Sequence, residues 1–368
     1  MRKICFIGYG LGGGQPTGVQ RYAREILNAL DDLVNDGEVE LLIHRDEKAD
    51  FHFRHIRVVR VGFPIVLPGA PGEKIRHTLY RVLDCRRYIR REHVLSVDLN
   101  LQFPRFGCDL IVIYDCLPER FRHVVPDADP NQKRMDRIFR SRQKRMLHTL
   151  NRAKRIVTVS ASSREDIRHF FHVKQEVHVI PAAWQHMERI REEDSVLERF
   201  GLRKGEYFFS LGTMHPYKNF KWIICAARQN PDALFVSTGQ MPAHAASPDT
   251  NELPGNMLFT GYLTDGEVKS LMKSCRAFIQ PSLGEGFGIP PMEAMSVGAD
   301  CIVSDRPALP ETYGDSVWYI DPENYTDINL AQIMARPKES NEKILDRYSW
   351  SGSAKALLKV LEEINDAG

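Results

Sequence analysis

The chain contains no apolar run approaching the roughly 18 residues that a membrane-crossing helix needs, so no transmembrane span is expected. Its 7 cysteines, at 5, 85, 108, 116, 225, 275 and 301, are odd in number and scattered, and none stands in a Cys-x-x-Cys pair. That pattern excludes a disulfide framework or a structural zinc site and fits reduced core thiols in a cytosolic protein. The 13 histidines never recur as His-x-x-x-His and join no mixed ligand cluster, so no catalytic metal and no bound cofactor is expected. Internal repeats and low-complexity tracts are absent. Met1–Gly8 holds an apolar run of strand length only, too short for the apolar region of a signal peptide.

At 368 residues, 43% hydrophobic and 27% charged, the chain has an ordinary soluble composition and is long enough for two domains. The net charge of +2 conceals a split. Residues 1–180 carry 32 Lys+Arg against 22 Asp+Glu, a balance of +10, which leaves 18 against 26, or −8, for residues 181–368. The basic excess concentrates in two predicted helices, 74–91 and 133–155, the second with ten basic residues and Asp136 as its only acid. Such a run is either a solvated helix face or an electrostatic dock for an anionic surface, a bilayer or nucleic acid.

Strand patterns at Lys3–Ile7, Val39–Ile43, Ile56–Arg60, Leu110–Tyr114, Arg155–Val159 and Val177–Ile180 alternate with helical patterns near 18–33, 73–92, 131–150 and 162–171. The alternation restarts with strands at Tyr207–Leu211, Ala233–Val236, 257–260, 277–280, 301–303 and 317–320. Between them stand helices from about Lys218 and near 265–274, 291–297, 325–335 and 340–346. Alternating β and α in two sets predicts an α/β protein of two doubly wound, Rossmann-like domains with a cleft between them. The expected boundaries are 1–181 and 182–349, with a last helix over 350–368 packing back on the first domain.

Gly8-Tyr9-Gly10-Leu11-Gly12-Gly13 fits G-x-G-x-x-G after a strand, but Gly14, Gln15 and Pro16 intervene before a helix better started by Thr17 as its N-cap. No acidic residue stands at the tip of a second strand where a ribose would need it, which argues against a nicotinamide cofactor. The loop reads instead as one that brings the amides of Gly14 and Gly18 close to a diphosphate, with Arg21 nearby. A turn chosen only for chain direction is the plainer alternative.

In Pro281-Ser282-Leu283-Gly284-Glu285-Gly286-Phe287-Gly288-Ile289-Pro290-Pro291-Met292-Glu293, a glycine-flanked turn runs from a strand into a proline-started helix. The amides of Phe287, Gly288 and Ile289 then form a helix N-terminus suited to a phosphate. Glu285 and Glu293 bracket that cradle and would repel the phosphate unless they hold sugar hydroxyls. A Glu that merely favours the helix dipole is the bland alternative. Lys218 stands at a helix start, where the dipole disfavours it, and suits neutralisation of a leaving diphosphate. Leu110–Cys116 ends a buried strand with Tyr114 and Asp115 at its C-terminal tip, where ligands sit in open α/β sheets. A buried tyrosine with a satisfied hydroxyl remains the alternative for Tyr114, and a turn cap for Asp115. Asp127-Ala128-Asp129 lies between prolines with no strand before it and reads as loop.

These segments resemble the retaining glycosyltransferases of the GT-B fold, family 4 type. The likeness is most specific in the Glu285-x7-Glu293 run, and Thr17-Gly18-Val19 and Thr213 to Lys218-Asn219 add to it. The resemblance implies a metal-independent transfer of a sugar from a nucleotide-diphosphate sugar to a saccharide acceptor, with no protein nucleophile. It implies Glu293 on ribose hydroxyls, Glu285 on the sugar, Lys218 and the amides of Phe287, Gly288 and Ile289 on phosphates, and Leu263 beside the base. Tyr114 stands where relatives have a His that contacts the sugar. Tyr217 and Thr213 stand where many have an Arg, which leaves Arg21 as the candidate second cation. A lipid-linked acceptor at the inner face of the cytoplasmic membrane would give the basic helices an anionic surface, with no nucleic acid partner. The alternative is a nucleotide-sugar epimerase or hydrolase of related fold.

Overall fold

The computed structural model describes residues 2–8, 11, 17–47, 51–62, 80–99, 107–121, 132–211, 215–239 and 253–366. Gly14, Thr213, the glycines between Tyr9 and Gln15, the Asp127–Asp129 loop and the start of the 74–91 segment lie outside them. The chain divides into two compact units. One comprises Met1–Cys116, Pro126–Pro181 and Trp350–Gly368, the other Leu117–Val125 and Ala182–Ser349.

In the first unit seven strands form one parallel sheet: β1 (Ile4–Ile7), β2 (Val39–His44), β3 (Arg57–Val61), β4 (Leu95–Asp98), β5 (Leu110–Val112), β6 (Arg155–Thr158) and β7 (Val177–Val179). Their order is β3-β2-β1-β4-β5-β6-β7. β1 is an interior strand, with Ile4 opposite Val39 on one side and Leu95 on the other. All four of its residues are buried, as expected of a strand covered by helices on both faces. β4 is the element that periodicity does not announce. Leu-Ser-Val-Asp alternates, yet every residue is buried because β1 and β5 flank it, and Ser96 Oγ donates to Asp109 Oδ2 at 2.9 Å. β5 ends at Val112, two residues short of the expected strand.

The helix Gly18–Asp31 starts with a capping box. The Gln20 amide donates to Thr17 Oγ1 at 3.4 Å and the Thr17 amide to Gln20 Oε1 at 2.8 Å. It buries Tyr22, Ala23, Ile26, Leu27 and Leu30. The C-terminal helix Trp350–Asp366 packs on it. Trp350 meets Tyr22 edge-on at 5.6 Å, and Ser353 Oγ donates to the Pro181 carbonyl at 2.8 Å. Of the two basic segments, the first is described from Tyr80, with a widened π turn (Tyr80–Asp84) before the α-helix Cys85–Glu92, and the second is the helix Gln132–Leu150.

The second unit repeats the plan with β8 (Tyr207–Ser210), β9 (Leu234–Ser237), β10 (Met257–Phe259), β11 (Ala277–Gln280), β12 (Cys301–Ser304) and β13 (Trp318–Ile320), ordered β10-β9-β8-β11-β12-β13. Its core joins Phe208, Trp222, Phe235, Ile279, Ile302 and Trp318, where full burial of each large side chain contributes roughly 1.5–3 kcal/mol. The strand order reverses between β8 and β11, so the loops after these two strands flank the switch point where such sheets bind ligands. The helices expected near 325–335 and 340–346 shrink to Leu330–Met334 and Glu342–Leu345. The reason is local: Asn324 Oδ1 accepts from the Thr326 amide at 3.2 Å in a turn, and Asn329 then caps the shortened helix. Short helices at His186–Arg189, Ser195–Phe200 and Leu309–Tyr313 had no periodic signal.

Candidate functional site

In the second unit β11 delivers the chain to the turn 281–288 and then to the helix Ile289–Ser296, with Pro290 in its first turn. Gly288 takes a left-handed conformation, φ 87°, and a Cβ there would lie 2.6 Å from Leu309 Cδ2, so only glycine fits. No side chain caps this helix. Pro290 and Pro291 carry no N–H and the Met292 amide meets the Tyr313 hydroxyl, so the amides this end can turn to an anion are those of Phe287, Gly288 and Ile289. The carbonyls behind it are held: Thr312 Oγ1 donates to Phe287 O at 3.3 Å and the Tyr313 hydroxyl to Gly288 O.

The Glu285 side chain is 7% exposed and takes three hydrogen bonds. Lys218 Nζ lies 2.7 Å from its Oε1 and 2.9 Å from its Oε2, and Gln280 Nε2 donates to Oε1 at 2.8 Å. The lysine and the glutamate, separate in the sequence reading, are therefore one ion pair. Lys218 does not start a helix; it ends the 3-10 turn Pro216–Lys218, one residue before the helix Phe220–Gln229. Asn219 between them is left-handed, φ 56°. Its buried amide donates to the carbonyls of Pro281 at 3.1 Å and Pro322 at 2.7 Å, while its Oδ1 accepts from Tyr325. That network fixes the lysine turn to the loop after β11. A cavity of about 60 Å³ lies beside it, lined in part by Leu211, Lys218, Gln280, Ser282 and Pro290.

Glu293, on the helix Ile289–Ser296, meets a residue that sequence reasoning missed. His186 Nε2 is 2.7 Å from Glu293 Oε1, and both side chains are largely buried. The segment carrying His186 is pinned. Trp184 Nε1 donates to Leu345 O, Gln185 Nε2 to Tyr348 O, and Lys269 Nζ to Met187 O and Ile190 O, all at 2.9–3.0 Å. No periodicity or spacing distinguishes His186 from a core histidine. Leu263 is buried at 4% exposure, whereas its neighbour Tyr262 is 85% exposed.

In the first unit Gly18 opens the helix Gly18–Asp31 on its exposed side, and Arg21, half-buried, follows in the same turn. A Cβ on Gly18 would touch nothing. Tyr114 lies in the core at 6% exposure, edge-on to Tyr22 at 5.1 Å, with its hydroxyl donated to the Leu99 carbonyl. Burial pushes its pKa well above the usual tyrosine range, so it is a neutral donor. Asp115 next to it is half-buried.

Two family models match, glycosyltransferase family 4 over residues 16–183 and glycosyl transferases group 1 over 194–347, and together they take in most of both units. The chain belongs to this family. Among curated relatives of this family 4 chain is the serotype-specific mannosyltransferase WbdA of Escherichia coli, 26% identical over 255 residues. That match covers 63% of this chain and 30% of WbdA. The O-antigen chain mannosyltransferase B of Escherichia coli is 28% identical over 228 residues, 58% of this chain and 60% of that one. The chain thus spans less than two thirds of the length of either relative. In fold it is similar to sucrose-phosphate synthase of Thermosynechococcus elongatus, with a TM-score of 0.75 at 16% identity over 100% of both chains. The family 4 chain accordingly has the GT-B fold of two Rossmann-like domains.

Proposed function

We propose that this chain is a retaining, metal-independent glycosyltransferase that moves a hexosyl unit from a nucleoside-diphosphate sugar to a saccharide. Mannose is the first candidate for the sugar, and a lipid-linked intermediate of cell-surface polysaccharide synthesis for the acceptor. One observation carries the reading. Lys218 and an uncapped helix N-terminus converge at the switch point of the second sheet, with two carboxylates, each held by its own donors, beside them. The names of the mannosyltransferase relatives supply the sugar and the glycan context.

In this reading Lys218 and the amides of Phe287, Gly288 and Ile289 receive the diphosphate, Glu293 the ribose hydroxyls and Glu285 those of the sugar. Gly18 and Arg21 keep the phosphate role, and Asp115 the acceptor role, that the resemblance implies for them. As the bond from the anomeric carbon to the diphosphate breaks, negative charge grows on the leaving phosphate oxygen, where Lys218 and the helix end stabilise it. The acceptor oxygen bonds to that carbon on the same face, and its proton passes to the leaving phosphate. Glu285, already taking three hydrogen bonds, serves as a positioner of hydroxyls and not as a nucleophile. The enzyme works at the inner face of the cytoplasmic membrane as a peripheral protein.

The test is to supply purified protein with GDP-, UDP- and dTDP-hexoses, with and without a saccharide acceptor. Nucleoside diphosphate release and the anomeric configuration of the product are read. The expected result is acceptor-dependent release, retained configuration and no loss of rate in EDTA. Release that ignores the acceptor and yields an epimerised or free sugar would replace the reading with an epimerase or hydrolase.

A further inference from the structure

Gln280 ends β11 behind three buried apolar residues, Ala277, Phe278 and Ile279, and is itself 6% exposed. A primary amide at such a site loses its hydration without return unless it finds a partner. Its partner is Glu285 Oε1 at 2.8 Å, and the same amide nitrogen lies 3.7 Å from where a Cβ on Gly288 would stand. Gln280 therefore sits between the carboxylate and the N-terminus of the helix Ile289–Ser296. Among the described residues Glu285 has one other donor group, Lys218, which is 23% exposed and charged. A diphosphate at the helix end competes with Glu285 for that ammonium. The neutral, buried amide of Gln280 offers a diphosphate far less and stays with the carboxylate.

We propose that Gln280 is a positioning residue that keeps the Glu285 carboxylate aimed at the donated sugar when the diphosphate of the donor draws Lys218 away. The assignment rests on the donor-site reading above. It explains why a polar side chain closes this strand and why one oxygen of Glu285 has two donors. The lysine neutralises the carboxylate in the unliganded chain, and the glutamine holds its direction in the liganded one.

The test uses two substitutions in the full chain. Gln280→Met keeps the length and removes the donor, and Gln280→Glu keeps the shape and sets a second carboxylate against Glu285. For each, kcat, donor KM, affinity for UDP, GDP and dTDP, and Tm are compared with the wild type. Gln280→Met is expected to lower kcat about 10- to 100-fold, the scale of a misplaced substrate-holding group, with nucleoside-diphosphate affinity within about twofold. Gln280→Glu is expected to fall further and to lower Tm, because it buries a second carboxylate beside Glu285; where the methionine variant folds poorly, kcat and nucleotide affinity of either variant, read well below its Tm, carry the test. Wild-type turnover in either variant, or affinity that falls in step with kcat, overturns the proposal. A wild-type chain that binds none of the three nucleotides overturns the donor-site reading itself, an outcome distinct from normal binding with an unimpaired Gln280→Met.

Discussion

Lys218 and Glu285 form a two-contact ion pair, Nζ to both carboxylate oxygens at 2.7 and 2.9 Å, inside the loop cluster proposed above as the donor site. Under that proposal a nucleotide diphosphate takes the lysine from a partner it already has. Glu285→Gln removes that competition and the like-charge repulsion with phosphate. Nucleoside-diphosphate affinity, measured by calorimetry, is expected to hold or to rise severalfold while turnover falls about 100-fold or more. Lys218→Ala acts the other way and costs more than about 2 kcal/mol in kcat/KM. Weaker nucleotide binding in Glu285→Gln would place the carboxylate on the nucleotide and not on the sugar.

His186 and Glu293 make the second pair, at 2.7 Å and mostly out of solvent. Removing one partner of a buried pair costs about 3–5 kcal/mol in the usual case, so His186→Ala is expected to lower Tm. His186→Gln keeps a donor and should recover most of it. If Glu293 holds the ribose, His186→Ala raises donor KM about tenfold with little change in kcat, and it narrows the preference for ribo- over 2′-deoxynucleotide. An unchanged preference would remove Glu293 from the ribose.

Two glycines are predicted to behave oppositely. Gly288→Ala puts a methyl 2.6 Å from Leu309 Cδ2 at a positive φ and should destabilise the second unit by about 2 kcal/mol or more. Gly18→Ala meets open space in a helix and should be neutral or stabilise by up to about 1 kcal/mol in urea denaturation. Any loss of donor affinity in Gly18→Ala then reports the approach of the ligand, because the fold makes no steric demand there. Full activity in that variant would take the glycine out of the phosphate loop.

Asp31, at the end of the helix Gly18–Asp31, accepts the amides of Arg54, His55 and Ile56 at 2.6–2.9 Å. Burial alone would raise its pKa, but these amides and the nearby His55 outweigh it and hold the carboxyl below its ordinary 3.8. A depressed folded-state pKa contributes stability that is full above the unfolded value and is lost as pH falls through the folded one. Asp31→Asn is therefore expected to cost about 2 kcal/mol at pH 7 and progressively less below pH 3.8, read from urea midpoints. A deficit that stays constant across that range would show that the carboxylate charge plays no part.

On the helix Gln132–Leu150, Arg137, Arg140 and Lys144 share one exposed face at spacings of three and four residues. At about 1 kcal/mol for each basic residue near an anionic leaflet, changing all three to Gln should weaken binding to anionic vesicles about 100-fold or more. Flotation with phosphatidylglycerol vesicles measures it, and neutral vesicles serve as the control. Equal binding of the wild type to both would assign this face to solvent.

The alternation of apolar strands and amphipathic helices was enough to place most elements of both sheets, because a strand buried on both faces must be apolar along its length. β4 escaped because Ser96 and Asp98 are polar, and their burial follows only from β1 and β5 closing on either side. The helix expected from about Lys218 starts at Phe220, for a related reason: the left-handed Asn219 is tied to Pro281 and Pro322, far along the chain, and leaves Lys218 in a 3-10 turn ahead of it.

What the sequence by itself determined was the chemical inventory of the site. Local backbone rules account for the glycine turn and the proline-started helix, and the sequence sets Glu285 and Glu293 on either side of that turn and Lys218 after a strand. The tertiary structure decided who holds whom. Lys218 pairs with Glu285 across 67 residues and His186 with Glu293 across 107, and Gln280 turns its amide to Glu285 instead of closing its strand as one more apolar side chain. Such pairings arise from the packing of β8, β11 and the helices after them, and partners so far apart leave no periodic trace in the chain.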